Sequence, residues 1–167
     1  TNCDVSPEIN ALLPDRIPLR QMRSIASYTV ISLSALLTGR TQEISRDKVL
    51  ETPMIFDYAR ALRLGDERPK TLYWASQSES VFERKGIDKL VDSFVSLESL
   101  VGSKVDDEDN FIDRGVDKLL ASYFVREIPK INEPFLMVLH MASTHAPYYI
   151  NPQDAPFAPY NRAPSWS

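Results

Sequence analysis

The chain has 167 residues, enough for one ordinary domain able to bury roughly two thirds of its unfolded surface, and its 43% hydrophobic content excludes a disordered polymer. Nineteen basic against 23 acidic residues, both scattered, give a net charge of −4 and exclude a nucleic-acid binder held by a basic face. No apolar run approaches the ~18 residues needed to span a bilayer, the polar start TNCDVSPEIN does not read as a signal peptide, and the single cysteine, Cys3, excludes a disulfide framework or a cysteine-rich zinc site.

In chain order, Ser6-Pro7-Glu8 predicts a short helix, with Ser as cap, Pro at the first helical position and Glu in the first turn. Ile9, Leu12 and Leu13 give it one apolar face, and Pro14 ends it. Ile17 to Met22 alternates apolar and polar as a short strand does. Thr29 to Thr38, TVISLSALLT, reads as a helix with Thr29 at its cap or first turn and Gly39 at its C′ position. Thr52-Pro53 opens a further helix with Ile55, Phe56, Ala59 and Leu62 on one side, ending near Gly65.

Thr71 to Ala75 reads as a buried strand in which Trp74 is core, Gln77 to Lys85 as a short helix stopped at Gly86, and Val91 to Leu97 as a weaker strand. From Asp109 to Arg126 the residues Ile112, Val116, Leu119, Leu120, Tyr123 and Phe124 form one helical stripe. The acidic run Asp106 to Asp109 favours the positive end of that helix. It is not a calcium loop, because Phe111 and Ile112 stand where a ligand and an invariant glycine are needed. Phe135 to Leu139 is a continuous apolar run of the kind a central parallel strand shows. Seven of the 12 prolines fall from Pro129 onward, so 148–167 reads as an extended tail. Strand and helix alternate, which predicts an α/β domain with a mostly parallel sheet flanked by helices.

Ligands of such sheets collect beyond the carboxyl ends of the strands. Two loops lie there, Ser24 to Thr29 and His140 to Pro147. A hydroxyl at a helix start sits beside free N–H groups that hold an anion, and a strand-end histidine is a donor to the same anion. By themselves these placements are more often those of a helix cap and of an unremarkable loop histidine.

The stretch TVISLSALLTGR resembles the nucleophile helix of the alkaline phosphatase and sulfatase superfamily. Counting back from Leu36-Leu37-Thr38-Gly39-Arg40 puts the nucleophile on Thr29 and the motif serine on Ser32. Thr29 replaces the Cys or Ser that sulfatases oxidise to formylglycine, and Leu33 replaces the motif arginine. Both departures are similar to the phosphoethanolamine- and lipoteichoic-acid-type transferase branch, which has a Thr nucleophile. FLMVLHMASTHAPY resembles the superfamily's strand followed by Thr-His-x-Pro-Tyr, carried here by Thr144, His145, Pro147 and Tyr148, with His140 a structural strand-end residue. Between them, KTLYWASQSESVFERKGIDKLVDSF resembles the family's strand, Ser-Gln loop and helix.

The resemblance implies that Thr29 is nucleophile and metal ligand, and that His145 contacts the oxygens of an anionic phosphate or sulfate ester. It implies a divalent ion (zinc, manganese or calcium), since a threonine hydroxyl is a poor nucleophile until a metal or base activates it. It further implies an extracytoplasmic bacterial parent, periplasmic or at the cell surface, tethered to the membrane through segments this chain lacks. The family's other metal ligands have no counterpart before Ser6 or after His145, so residues 1–167 read as the central part of one sulfatase-like domain. On that count the isolated chain is expected to bind no metal tightly, to be catalytically silent, and to self-associate through an exposed sheet edge. The rival reading is a non-catalytic domain that keeps the fold for binding or assembly.

Overall fold

The computed structural model describes residues 29–40, 51–77, 86–102 and 116–142 continuously, with scattered positions between 11 and 48. Three strands, β1 (Lys70–Ala75), β2 (Ser93–Val95) and β3 (Phe135–His140), form one all-parallel sheet in the order β2-β1-β3. Five helices accompany them among the described residues: α1 (Thr29–Thr38), α2 (Ile55–Ala61), α3 (Ile87–Leu90), α4 (Leu97–Val101) and α5 (Val116–Glu127). A 3₁₀ turn, Ile128–Lys130, closes α5 before β3. The fold is α/β with a parallel sheet, as the alternation of elements predicts.

Alternate residues of β1 face opposite sides, and both sides are covered. Tyr73 and Ala75 lie in a cluster with Leu37 of α1, Met54 and Phe56 at α2 and Ile87 of α3, against which Phe94, Leu136 and Val138 pack. Leu72 and Trp74 face the other way, into a cluster with Val95 and Leu120 flanked by Tyr123, Phe124 and Met137. A strand buried on both faces needs a continuous apolar run rather than alternation, and TLYWA is one. The Trp74 indole N–H donates to the Ser93 hydroxyl at 2.9 Å, and its ring meets Tyr123 edge to face at 5.0 Å. Trp74→Ala is expected to cost about 3–5 kcal/mol. The check is a lower denaturation midpoint at an unchanged denaturant slope; a loss below about 1 kcal/mol would contradict a packed core at this position.

Several predicted elements shift. Among the described strands β1 lies between β2 and β3, and Phe135 and Leu139 of β3 are partly exposed. The helix expected to open at Thr52-Pro53 begins at Ile55, where the Asp57 carboxylate accepts the Met54 N–H at 2.8 Å. Of its four expected core residues only Phe56 is buried, since this seven-residue helix offers just one turn to the sheet. The weak strand ends at Val95, and Leu97 instead starts α4. Ser96 caps α4 by accepting the Ser99 N–H at 3.4 Å, and Gly102 ends it in a left-handed conformation at φ +72°. On the α5 stripe Leu119 is exposed while Val116 and Leu120 are fully buried. Most of the predicted helix at 6–13, the strand at 17–22, the helix at 77–85, the acidic run at 106–109, Cys3 and the tail 148–167 lie outside the described residues.

The amino edge of the sheet is closed by an ion pair. Arg68 donates to both oxygens of Asp92, at 3.1 and 2.8 Å, while Asp92 Oδ2 accepts from the backbone N–H and hydroxyl of Thr71 at 2.8 and 3.0 Å. The Arg68 hydrogen bonds first, then the Thr71 donors, outweigh partial desolvation and hold the Asp92 carboxyl down to about 2. A carboxyl held lower in the folded chain than in the unfolded one stabilises the fold above the ordinary value near 4. That stability is lost as pH falls through about 4 to 2. Acid titration of Asp92→Asn, followed by circular dichroism, should therefore show a shallower loss of stability in that window. Parallel pH profiles for the two proteins would contradict the assignment.

Candidate functional site

Thr29 is the first residue of α1 and is partly buried. The first turn, Thr29 to Ser32, holds no acidic side chain, so nothing of the helix's own neutralises its positive end. The Ser32 hydroxyl donates to the Ala26 carbonyl at 3.0 Å and ties this turn to the loop before it. At the other end Gly39 takes φ +68°, the left-handed conformation a helix C′ position requires. Thr38 donates from its hydroxyl to the Ser34 carbonyl at 2.6 Å. Leu33 and Leu37 belong with the cluster around Tyr73 and Ala75, which seats α1 on that face of the sheet. Leu33, which stands where the sulfatase motif has arginine, is thus used for packing.

β3 reaches the carboxyl edge at His140, in register with Ala75. His140 Nδ1 and the Tyr73 hydroxyl are hydrogen-bonded at 3.1 Å, their rings edge to face, so this imidazole shares the α1 face of the sheet. Burial pushes the Tyr73 phenol well above its ordinary value, and it keeps its proton at neutral pH. The pairing agrees with the structural role expected of His140.

Beyond the strand ends the backbone is held by polar groups. The Ser76 N–H donates to the His140 carbonyl at 3.1 Å, and the Leu97 N–H to the Gln77 carbonyl at 2.9 Å. The Ser76 hydroxyl donates to the Asp117 carboxylate in the first turn of α5. The Ala142 N–H donates both to that carboxylate and to the Ser76 oxygen, at 2.8 and 3.0 Å. The side-chain oxygen of Gln77 is buried and has no hydrogen-bond partner among the described residues. At the opposite, amino edge an open cleft of about 280 Å³ lies between Lys70, Ser93, Trp74 and the end of α5 at Tyr123 and Glu127.

Of the two candidate site residues, the structure describes Thr29, while His145 and its neighbour Thr144 lie outside the described residues. What it does bring together is α1, which begins at Thr29, and the Tyr73–His140 pair at the end of β3, on one sheet face. Among the described residues no three His, Cys, Asp or Glu side chains gather as a metal ion requires. Sequence reasoning missed the Ser76–Asp117–Ala142 contacts, whose partners are 41 and 25 residues apart. No local pattern encodes them.

No curated protein and no solved structure gives a significant match to the chain. The sequence profile of the Sulfatase family does match, over residues 2–163. That span takes in the TVISLSALLTGR helix, the buried strand β1 and the FLMVLH strand with the segment that follows it. With a parallel α/β sheet and helices on both of its faces, the chain belongs to the Sulfatase family, within the alkaline phosphatase superfamily.

Proposed function

We propose that this chain carries the nucleophile of a phospho- or sulfo-ester hydrolase, or of a phosphoryl-type transferase, and that the nucleophile is Thr29. The observation that carries this reading is the helix that starts at Thr29, ends at Thr38 ahead of Gly39 and has no carboxylate in its first turn. An anionic ester placed there meets the positive end of the helix dipole, which no carboxylate of the helix's own first turn offsets. Attack by the Thr29 oxygen forms a bond to phosphorus or sulfur and breaks the bond to the ester oxygen, which leaves as the alcohol with the proton Thr29 gives up. The transferred group stays on Thr29 until water or an acceptor alcohol takes it and returns a proton to the threonine oxygen. A threonine cannot be converted to formylglycine by the route used for Cys or Ser, which favours the transferase-like branch. His145 is the donor to the ester's non-bridging oxygens.

Sulfatase-family proteins generally use a divalent metal, and zinc, manganese or calcium is the cofactor proposed for the active protein, with Thr29 among its ligands. The chain contains only two histidines, His140 and His145, in one late segment, and His140 is already engaged by Tyr73. A site short of donors binds metal weakly and leaves the hydroxyl protonated near neutral pH. The 167-residue polypeptide by itself is therefore expected to show no tight site in calorimetry with those three ions, and no turnover of aryl phosphates or aryl sulfates. Metal-dependent turnover by this polypeptide alone would overturn that count of donors. For the protein as its gene encodes it, absence of turnover with every ion supplied would instead favour a non-catalytic binding or assembly domain. An extracytoplasmic, membrane-tethered setting and association through the β3 edge, where Leu139 and Met141 are partly exposed, complete the proposal.

A further inference from the structure

The elements that meet at the carboxyl edge are joined by a polar knot for which the chemistry above has no direct use. Ser76 is fully buried at the end of β1, Asp117 stands in the first turn of α5, and Ala142, 1% exposed, follows β3. The Ser76 hydroxyl gives its proton to Asp117 and its lone pair to the Ala142 N–H, while Asp117 Oδ1 accepts from the same N–H. Beneath them Leu97, Val116 and Ala142 close an apolar cluster that locks the first turn of α5 against the edge. A carboxylate near a helix start is favoured by the dipole, and its charge strengthens both hydrogen bonds it accepts. The chain therefore leaves β3 in a direction set by α5, not by β3 itself.

Ala142 precedes His145 by three residues, at most about 11 Å of chain. We propose that Asp117, together with Ser76, is a positioning residue that fixes where the segment bearing His145 departs from the sheet. The inference rests on the reading of His145 as the oxyanion contact. Asp117 itself touches no ester; it acts through the Ala142 N–H.

The test uses nuclear magnetic resonance on the 167-residue chain, where two histidines give two separable imidazole signals. In Asp117→Ala the Ala142 amide should exchange with solvent at least about ten-fold faster relative to the β1 amides of Tyr73 and Trp74. The His145 imidazole signals should move with it. Asp117→Asn keeps an oxygen able to accept both hydrogen bonds and should restore both readouts, whereas a general loss of stability would speed β1 exchange as well. If Asp117→Ala does not fold, Ser76→Ala removes one of the two acceptors and should give the same pattern at smaller amplitude. Ala142 exchange that keeps pace with β1, or unmoved His145 signals in a folded variant, would overturn the proposal. Neither readout needs metal or ester, so its failure leaves Thr29 to its own test, and failure at Thr29 leaves the knot intact.

Discussion

Thr29→Ala should abolish nearly all turnover in the gene-encoded protein while leaving the fold in place. The two halves of that expectation have different physical origins. Alanine is the best helix former, and the hydroxyl stands in a first turn rather than inside a packed cluster. Loss of a capping hydroxyl costs at most about 1–2 kcal/mol, which a packed parallel sheet tolerates. The catalytic cost is of another order, because removing the nucleophile removes the covalent route and leaves only binding and electrostatic stabilisation. Losses of about 10⁴-fold or more accompany deletion of a nucleophile in related chemistry. Activity within a few-fold of wild type, measured with an aryl phosphate and an aryl sulfate, would take Thr29 out of the mechanism. Serine at this position restores a hydroxyl and should recover part of the rate.

The second large effect is expected at His145. A donor aimed at charge that develops in the transition state is worth about 10²–10³ in rate when removed. His145→Ala should lower kcat by that factor with a smaller change in KM, since the interaction strengthens as the anion forms. His140→Ala should behave differently. Its imidazole is bonded to the buried Tyr73 hydroxyl and packs edge to face on that ring, so its loss removes both contacts and acts through stability. Equal catalytic losses in the two variants, with equal stability, would contradict this division of roles. The same reading requires the Thr29 hydroxyl and the His145 imidazole at one edge of the sheet. Finding them at opposite ends in a crystal structure would remove the shared site.

How much of this was legible in the sequence depended on the range of the forces involved. α1 was read to the residue because its limits are local: a first-turn threonine, an apolar spacing and a glycine that alone enters the left-handed region cheaply. β1 and β3 were legible as short apolar runs of strand length, and burial of both faces explains the run in β1, while β3 is only partly buried. Their order in the sheet was not legible, because strand order is set by pairing between segments far apart. α4 left a signal that the apolar residues obscured: Ser96 with Ser99 at its start and Gly102 at its end. Leu97 looked like the end of a strand because its burial comes from a tertiary cluster with Val116 and Ala142. The Arg68–Asp92 pair and the Asp117 knot are long-range in the same sense. The candidate site was legible only through a motif, and of its two residues the fold positions Thr29.

The central claim is that Thr29 takes up the transferred group, and the most direct measurement is mass spectrometry of peptides from the gene-encoded protein, acid-quenched during turnover of an aryl phosphate. The account predicts one phosphoryl group on the peptide spanning Thr29 to Arg40, localised by fragmentation to Thr29 and absent from Thr29→Ala. Turnover that proceeds with the group found on a different residue would contradict it.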